Sequence, residues 1–238
     1  HRDLHSFPTR RSSDLLNAQT WAVFSGLATG ERAVSAMKSA ENHLDTPLGP
    51  VLMTPPYVDE AKEVGRIARL QPGTFENASI YQHAVTFHIF ANLAIGEYEK
   101  AYRTFVNLLP TNPDNFDSRR TSEPYCTGNY YCGPKHPRFG QNFFSWFTGN
   151  ASWLLRAGFD EILGVKAGYD GLEISPKVPK SWKKYSVTRK FRGCTYNIFF
   201  IRDKSASGLS ITCNGTKVDG TTVPPFPGEE CRIEAIFP

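Results

Sequence analysis

The chain has 238 residues, a net charge of +4 and a mean hydropathy of −0.38, which is enough for one large domain or two smaller ones with real cores. So small a positive balance, with no run of Lys or Arg, argues against a nucleic-acid partner, and no apolar stretch approaches the length of a membrane span. The 17 Phe, 10 Tyr and 4 Trp offer flat faces that suit carbohydrate stacking, although aromatics also fill ordinary cores.

His1–Leu15, HRDLHSFPTRRSSDL, resembles the in-frame translation of a common DNA-sequencing adapter. It is expected to be a non-native segment that packs against nothing, with the native chain starting at Leu16 inside a longer gene product. Trp21, Val23, Phe24 and Leu27 then have helical spacing, closed by Thr29-Gly30. Ala33, Met37 and Ala40 line one side of a second helix over Glu31–His43. The prolines between Leu48 and Tyr57 exclude a regular element there. Glu76–Ile95 is the longest helical candidate and Glu97–Leu109 follows it. Pro110–Gly140, dense in Pro, Gly, Asn and Asp, reads as loop, and Asn150–Leu163 as the last helix. After Gly164 the pattern changes to short alternating runs, Leu172–Ile174, Tyr196–Ile201 and Leu209–Thr212, with turn signals at Asn214-Gly215 and Asp219-Gly220. Helices followed by strands imply segregated domains: a helical part over residues 16–164 and an all-β module, sandwich or jelly roll, over 165–238.

Two stretches carry candidate chemistry. Pro72–Asn77 leads into the helix that bears His83 and His88, and Glu76 and His83 stand two turns apart on one face of it. A carboxylate can accept sugar hydroxyls and an imidazole can donate to a phosphate oxygen. Equally, Glu76 suits a first-turn acid and His83 a half-buried structural histidine. Ser145–Asn150 places Thr148-Gly149 at a helix start, where a hydroxyl and backbone N–H groups face an anion or simply cap the helix. Asn77-Ala78-Ser79, Asn150-Ala151-Ser152 and Asn214-Gly215-Thr216 match glycosylation sequons, which matter only in a secretory pathway. Asp114–Asp117 lacks a calcium-loop pattern, and nothing in the spacing of Asp45, Asp59 and Glu123 singles out an acid–base group. Cys126, Cys132, Cys194, Cys213 and Cys231 are odd in number and include no CxxC pair. They suggest neither a disulfide framework nor a zinc site, but free thiols in a reducing cytoplasm.

Taken together, PGTFENASIYQHA (72–84), SEPYCTGNYYCGP (122–134), SWFTGNASWLLR (145–156), ILGVKAGYDGLEISPKVP (162–179) and VTRKFRGCTYNI (187–198) resemble glycoside hydrolase family 94, the inverting phosphorylases of β-linked disaccharides. The likeness runs from about Asn17 onward. It implies the C-terminal part of an (α/α)6 catalytic barrel followed by a C-terminal β-sandwich or jelly-roll domain. It also implies that Glu76 and Asn129 bind substrate, and that His83, Thr148 and Gly149 bind phosphate. Asn129 stands where cellobiose phosphorylases have glutamine and Phe75 where they have lysine, which points away from plain cellobiose. The general-acid aspartate and the phosphate-site arginines of the family belong to an upstream segment, so no catalytic residue is assigned in this chain and the fragment is expected to be inactive. The resemblance further implies no metal and no cofactor, with inorganic phosphate as co-substrate, and a cytoplasmic homodimer when full length. A hydrolase on the same barrel, a sugar-binding β module and the glycan-processing region of a cyclic β-1,2-glucan synthase are the competing readings.

Overall fold

The first helix, α1 (Leu16–Phe24), starts where Leu16 N donates to Leu52 O at 2.9 Å and Leu15 pairs with Met53 in an antiparallel bridge. α2 (Gly30–Leu44) buries Ala33, Met37, Ala40 and Leu44, the stripe its three- and four-residue spacing dictates. Val23, Ala28, Ala33 and Met37 form a core with Ala91 of α3 (Gln82–Ala94). α3 is the central helix: its residues from Ala84 to Leu93 are all buried, and α1 and α4 (Tyr98–Leu108) pack against it. Gly96, at φ 82, lies just beyond the end of α3 and lets the chain turn into α4.

The computed structural model describes residues 15–58, 64–112, 121–123 and 125–238. The expectations for His1–Asp14, Asp59 and Asp114–Asp117 lie outside them; of the proposed adapter segment, only Leu15 is described, and it is paired as above. The described chain divides into two units between Leu154 and Leu155.

Three short strands complete the first unit. β1 (Ile80–Tyr81), β2 (Tyr130–Tyr131) and β3 (Asn142–Phe143) form an antiparallel sheet in the order β1-β2-β3, with Ile80 opposite Tyr131 and Tyr130 opposite Phe143. This sheet takes in part of the segment expected to be loop. It also shortens the expected Glu76–Ile95 helix, which begins only at Gln82. The cause is Asn77. Its side chain is fully buried, donates to Tyr57 O (2.9 Å) and Leu70 O (2.7 Å) and accepts from Tyr57 N (2.8 Å). The flanking residues Phe75 (φ 44) and Ala78 (φ 64) are left-handed, a conformation incompatible with a right-handed helix. Glu76 is therefore neither a first-turn acid of α3 nor on one helical face with His83. α5 (Asn150–Arg156) has seven residues and continues as a π-helical segment, Ala157–Ile162.

The second unit carries β4 (Val165–Ala167), β5 (Leu172–Ile174), β6 (Lys184–Phe191), β7 (Cys194–Arg202), β8 (Ser210–Cys213), β9 (Thr216–Val218), β10 (Thr222–Val223) and β11 (Glu230–Phe237). They make a three-stranded sheet, β10-β5-β4, and a five-stranded sheet, β6-β7-β11-β8-β9. Cys194, Tyr196, Ile198 and Phe200 alternate inward along β7, as a sheet with one buried face requires.

The expected fold class is not what the described residues show. Three sheets and five α-helices are present; the two sheets of the second unit look like a β-sandwich, and no part of an (α/α)6 barrel is seen. In the five-stranded sheet β11 runs parallel to β7. Apolar periodicity identifies amphipathic helices one at a time. It carries no information on how many close around a ring, and here the helical run is broken by the Asn77 turn and by the small sheet.

Candidate functional site

The small sheet delivers Asn129 to the start of α3. Asn129 N donates to Phe143 O (2.9 Å) and Asn129 O accepts from Gln82 N (3.0 Å). The Asn129 side-chain amide donates to Phe147 O at 2.7 Å and so fixes the loop ahead of α5. In that loop Thr148 Oγ1 accepts from Asn150 N at 3.1 Å. Gly149 faces the His83 ring: a Cβ at that position would lie 3.0 Å from Cε1 and 3.3 Å from both ring nitrogens. A side chain there would push the imidazole away. His83, Asn129, Thr148 and Gly149 thus form one cluster, although the sequence spreads them over three segments.

The His83 ring lies 5.0 Å from Phe87 and 6.4 Å from Trp153, measured between centroids. Burial lowers its pKa from the usual histidine value, which favours the neutral ring. Its Nε2 is buried and has no hydrogen-bond partner among the described residues; the same is true of Asn129 Oδ1 and Asn150 Oδ1. An orphaned buried polar atom costs about 1–3 kcal/mol, and three in one place invite a polar ligand.

Glu76 sits in the adjoining turn, where Asn77 N donates to Thr74 O at 2.9 Å. It is half-buried. Its neighbour Phe75 packs on Tyr130 (4.8 Å) and Phe144 (4.9 Å), which ties the turn to the Asn129 loop. Phe144 (φ 56) and Trp146 (φ 68) are left-handed as well. Non-glycine residues in that region cost of order 1–3 kcal/mol each and gather at functional sites.

A set of buried amides beneath these loops escaped the sequence reading. Asn150 donates to Gln82 Oε1 (2.8 Å), Gln82 donates to Asn142 Oδ1 (2.9 Å), and Asn142 donates to Ser122 Oγ (2.8 Å). The Thr121 hydroxyl donates to Asn142 O, and Asn150 also reaches Gly128 O at 3.3 Å. Gly128 has to be glycine, because a Cβ there would run into the Asn142 amide. Gln82 and Asn150 adjoin His83 and Gly149 in sequence, the one signal that could have flagged them.

The remaining candidates separate from this cluster. Glu123 is tied as an anion, its pKa held below the usual carboxylate value by donors from its own backbone N–H, Ser145 and the Trp146 indole (3.2 Å). Asp45 is pushed up by burial and pairs with Arg103 at 3.4 Å. It lines a cavity of ≈ 270 Å³ with His88, Asn92, Glu41, Lys100 and Arg103, which includes none of the loop cluster. Of the sequon asparagines, Asn77 and Asn150 are fully buried and hydrogen-bonded, so the folded chain offers neither to a glycan. Among the described residues no group of His, Cys, Asp and Glu could hold a metal ion, and no helix is long and apolar enough to cross a membrane.

Chemically, the cluster sets an imidazole nitrogen and the Thr148 hydroxyl beside amide oxygens and, in the adjoining turn, a carboxylate. The first pair suits an anion and the second suits hydroxyls. The family model for the catalytic domain of the glycosyl hydrolase 94 superfamily matches residues 3–164. The chain is 39% identical to solabiose phosphorylase of Paenibacillus borealis, over 93% of this chain and 29% of that protein. It is 36% identical to 3-O-beta-D-glucopyranosyl-beta-D-glucuronide phosphorylase of the same organism, over 92% and 29%. It is 32% identical to N,N'-diacetylchitobiose phosphorylase of Vibrio proteolyticus, over 93% and 28%. The chain thus spans less than a third of the length of these relatives.

Proposed function

Because the chain belongs to the glycosyl hydrolase 94 superfamily, we propose that it is the C-terminal part of an inverting glycoside phosphorylase. The enzyme would split a β-linked disaccharide with inorganic phosphate and release an α-sugar 1-phosphate. His83 Nε2–H, the Thr148 hydroxyl and the Gly149 N–H hold phosphate and aim it at the anomeric carbon, opposite the leaving group. Glu76 and Asn129 accept hydroxyls of the sugar. Phosphate takes the place of activated water in an inverting displacement, so a second catalytic carboxylate is not needed. The proton donor and further cations belong, by family resemblance, to a segment upstream of the matched blocks. The same resemblance makes the full-length protein a cytoplasmic homodimer that uses no cofactor. Asn129 and Phe75, in place of glutamine and lysine, favour an acceptor other than plain glucose.

The observation that carries this reading is the buried, unpartnered Nε2 of His83 lying against Gly149. The names of the relatives support it, since each of the three is a phosphorylase of a disaccharide or glucosyl-glucuronide. The test is steady-state kinetics on the full-length gene product, with phosphate and sugar varied separately over solabiose, diacetylchitobiose, cellobionate and cellobiose. His83→Ala is expected to raise KM for phosphate and to lower the rate by about 10²–10³-fold, as for other preorganised anion donors. Glu76→Gln is expected to act through the sugar. Residues 1–238 alone are expected to yield no sugar 1-phosphate, because the proton donor is missing. Turnover without consumption of phosphate would make the enzyme a hydrolase, and a His83→Ala variant with unchanged phosphate dependence would remove His83 from the site.

A further inference from the structure

Three of the five cysteines meet in the second unit, and the phosphorylase reading uses none of them. Cys194 opens β7, Cys213 closes β8, and Cys231 is the second residue of β11. β8 and β11 are antiparallel neighbours with Ile233 opposite Cys213. Cys231, two residues before Ile233, therefore projects on the same face as Cys213, one diagonal step away. The two sulfurs are 2.9 Å apart, against about 2.05 Å in a bonded pair. The backbone holds them there: Asn214 N donates to Arg232 O at 2.8 Å, and Arg232 N donates to Asn214 Oδ1 at 2.9 Å. Cys213 is half-buried and can be reached from solvent, whereas Cys231 is 1% exposed. All five cysteines are unbonded thiols in the structure.

We propose that Cys213 and Cys231 are a reversible thiol–disulfide pair, oxidised by a peroxide and reduced by a dithiol. Cys213, the accessible partner, attacks one peroxide oxygen as its thiolate. The O–O bond breaks, the sulfur becomes a sulfenic acid, and the other oxygen leaves as water. The Cys231 sulfur then displaces the hydroxyl from Cys213; the S–S bond forms, and the hydroxyl departs with the Cys231 proton as a second water. Two electrons pass from the two thiols to the peroxide. Burial and the neighbouring Cys213 thiol push Cys231 up to about 12, which argues against Cys231 as the first nucleophile. Cys194 stays out of the exchange because its thiol is engaged with the Tyr196 hydroxyl. The bond would span 18 positions of sequence and staple the β8–β9 hairpin, at the edge of the sheet, to the central strand β11.

The test uses the whole 238-residue chain treated with hydrogen peroxide. Thiols titrated after unfolding should fall from five by two, and the intact mass should fall by about 2 Da, the two hydrogens lost in the couple. An unreduced digest should join the peptides that carry Cys213 and Cys231, and dithiothreitol should restore all thiols. Cys194→Ser should lose two thiols as before, and Cys213→Ser should give no crosslink. Persistence of every thiol, a crosslink between a different pair, or Cys213 gaining oxygen with no crosslink would each overturn the proposal. The peptide map of the unmutated chain decides the matter even if a variant fails to fold.

Discussion

His83 and His88 are two turns of one helix apart at most, yet they answer to different constraints. His83 is half-buried, and its Nε2 has no hydrogen-bond partner among the described residues. His88 is buried and already occupied: the Asn92 side-chain amide lies 3.1 Å from its Nε2 and also donates to its carbonyl at 3.0 Å. Burial, reinforced by Arg103 and Lys100 and only partly opposed by Glu41, lowers the His88 pKa to about 4. The unfolded chain takes up a proton as the pH falls through about 6.5, whereas the folded chain does so only near 4. Stability present above the unfolded value is therefore lost between those limits and changes no further below them. The loss from pH 7.5 to pH 4.5 should be about 2–3 kcal/mol. Urea unfolding at the two values measures it, and His88→Gln should flatten the difference by that amount; an equal slope in the variant would show that His88 is not its source. Of the site itself, the residue types were readable from sequence. His83, Thr148 and Gly149 stand in blocks that carry the family resemblance, whereas their spacing alone suits a structural histidine and a helix cap equally well. The amides Gln82, Asn142 and Asn150 were not readable, because Asn and Gln are mostly exposed in proteins and nothing local marks the three that are buried.

The small sheet shows why boundaries were harder to read than elements. α2 and α4 follow from apolar spacing, with Met37 and Ala40 or Ala101 and Leu108 inward, and β7 follows from strict alternation. β1, β2 and β3 have two residues each, too few for any period to register. What holds them is tertiary: the Asn77 clamp on one side and the buried amides on the other. This makes Gly128 a sensitive position. Gly128→Ala would drive a methyl into the Asn142 amide, and we expect a loss of about 2–4 kcal/mol through overpacking and broken buried hydrogen bonds. Chemical denaturation of the single variants and of the Gly128→Ala/Asn142→Ala pair separates the causes. If the collision is the cause, the double variant should be no less stable than Asn142→Ala alone; simple additivity would place the cost of the methyl elsewhere.

The division into a helical and a β-rich unit reflects the composition of the chain, since the inward alternation after Val165 cannot serve a helix. The closure of either unit was beyond reach of such patterns. A jelly roll and the observed sheet, with its parallel β7–β11 pair, place the same residues inward and outward. Strand order depends on contacts between segments far apart in the chain, which spacing within a segment does not encode. The missing barrel is the same failure in the helical unit: five helices were individually recognisable, but their arrangement was supplied by resemblance and not by the residues.

That strand order sets the timing of assembly. β11 lies between β7 and β8 in the five-stranded sheet, yet ribosomes make it after both. While synthesis proceeds, β6–β7 and β8–β9 can exist only as separate hairpins, each marginal in water, with one open edge of β7 and one of β8 waiting for a partner. Nascent chains should therefore be most prone to self-association in the interval before β11 emerges. A chain ending at Glu229 holds that interval open indefinitely: it should aggregate, and supplying residues 230–238 as a separate peptide during refolding should recover soluble protein. If the shortened chain stays monomeric and folded without the peptide, β11 is dispensable and the late-closing sheet is not a hazard.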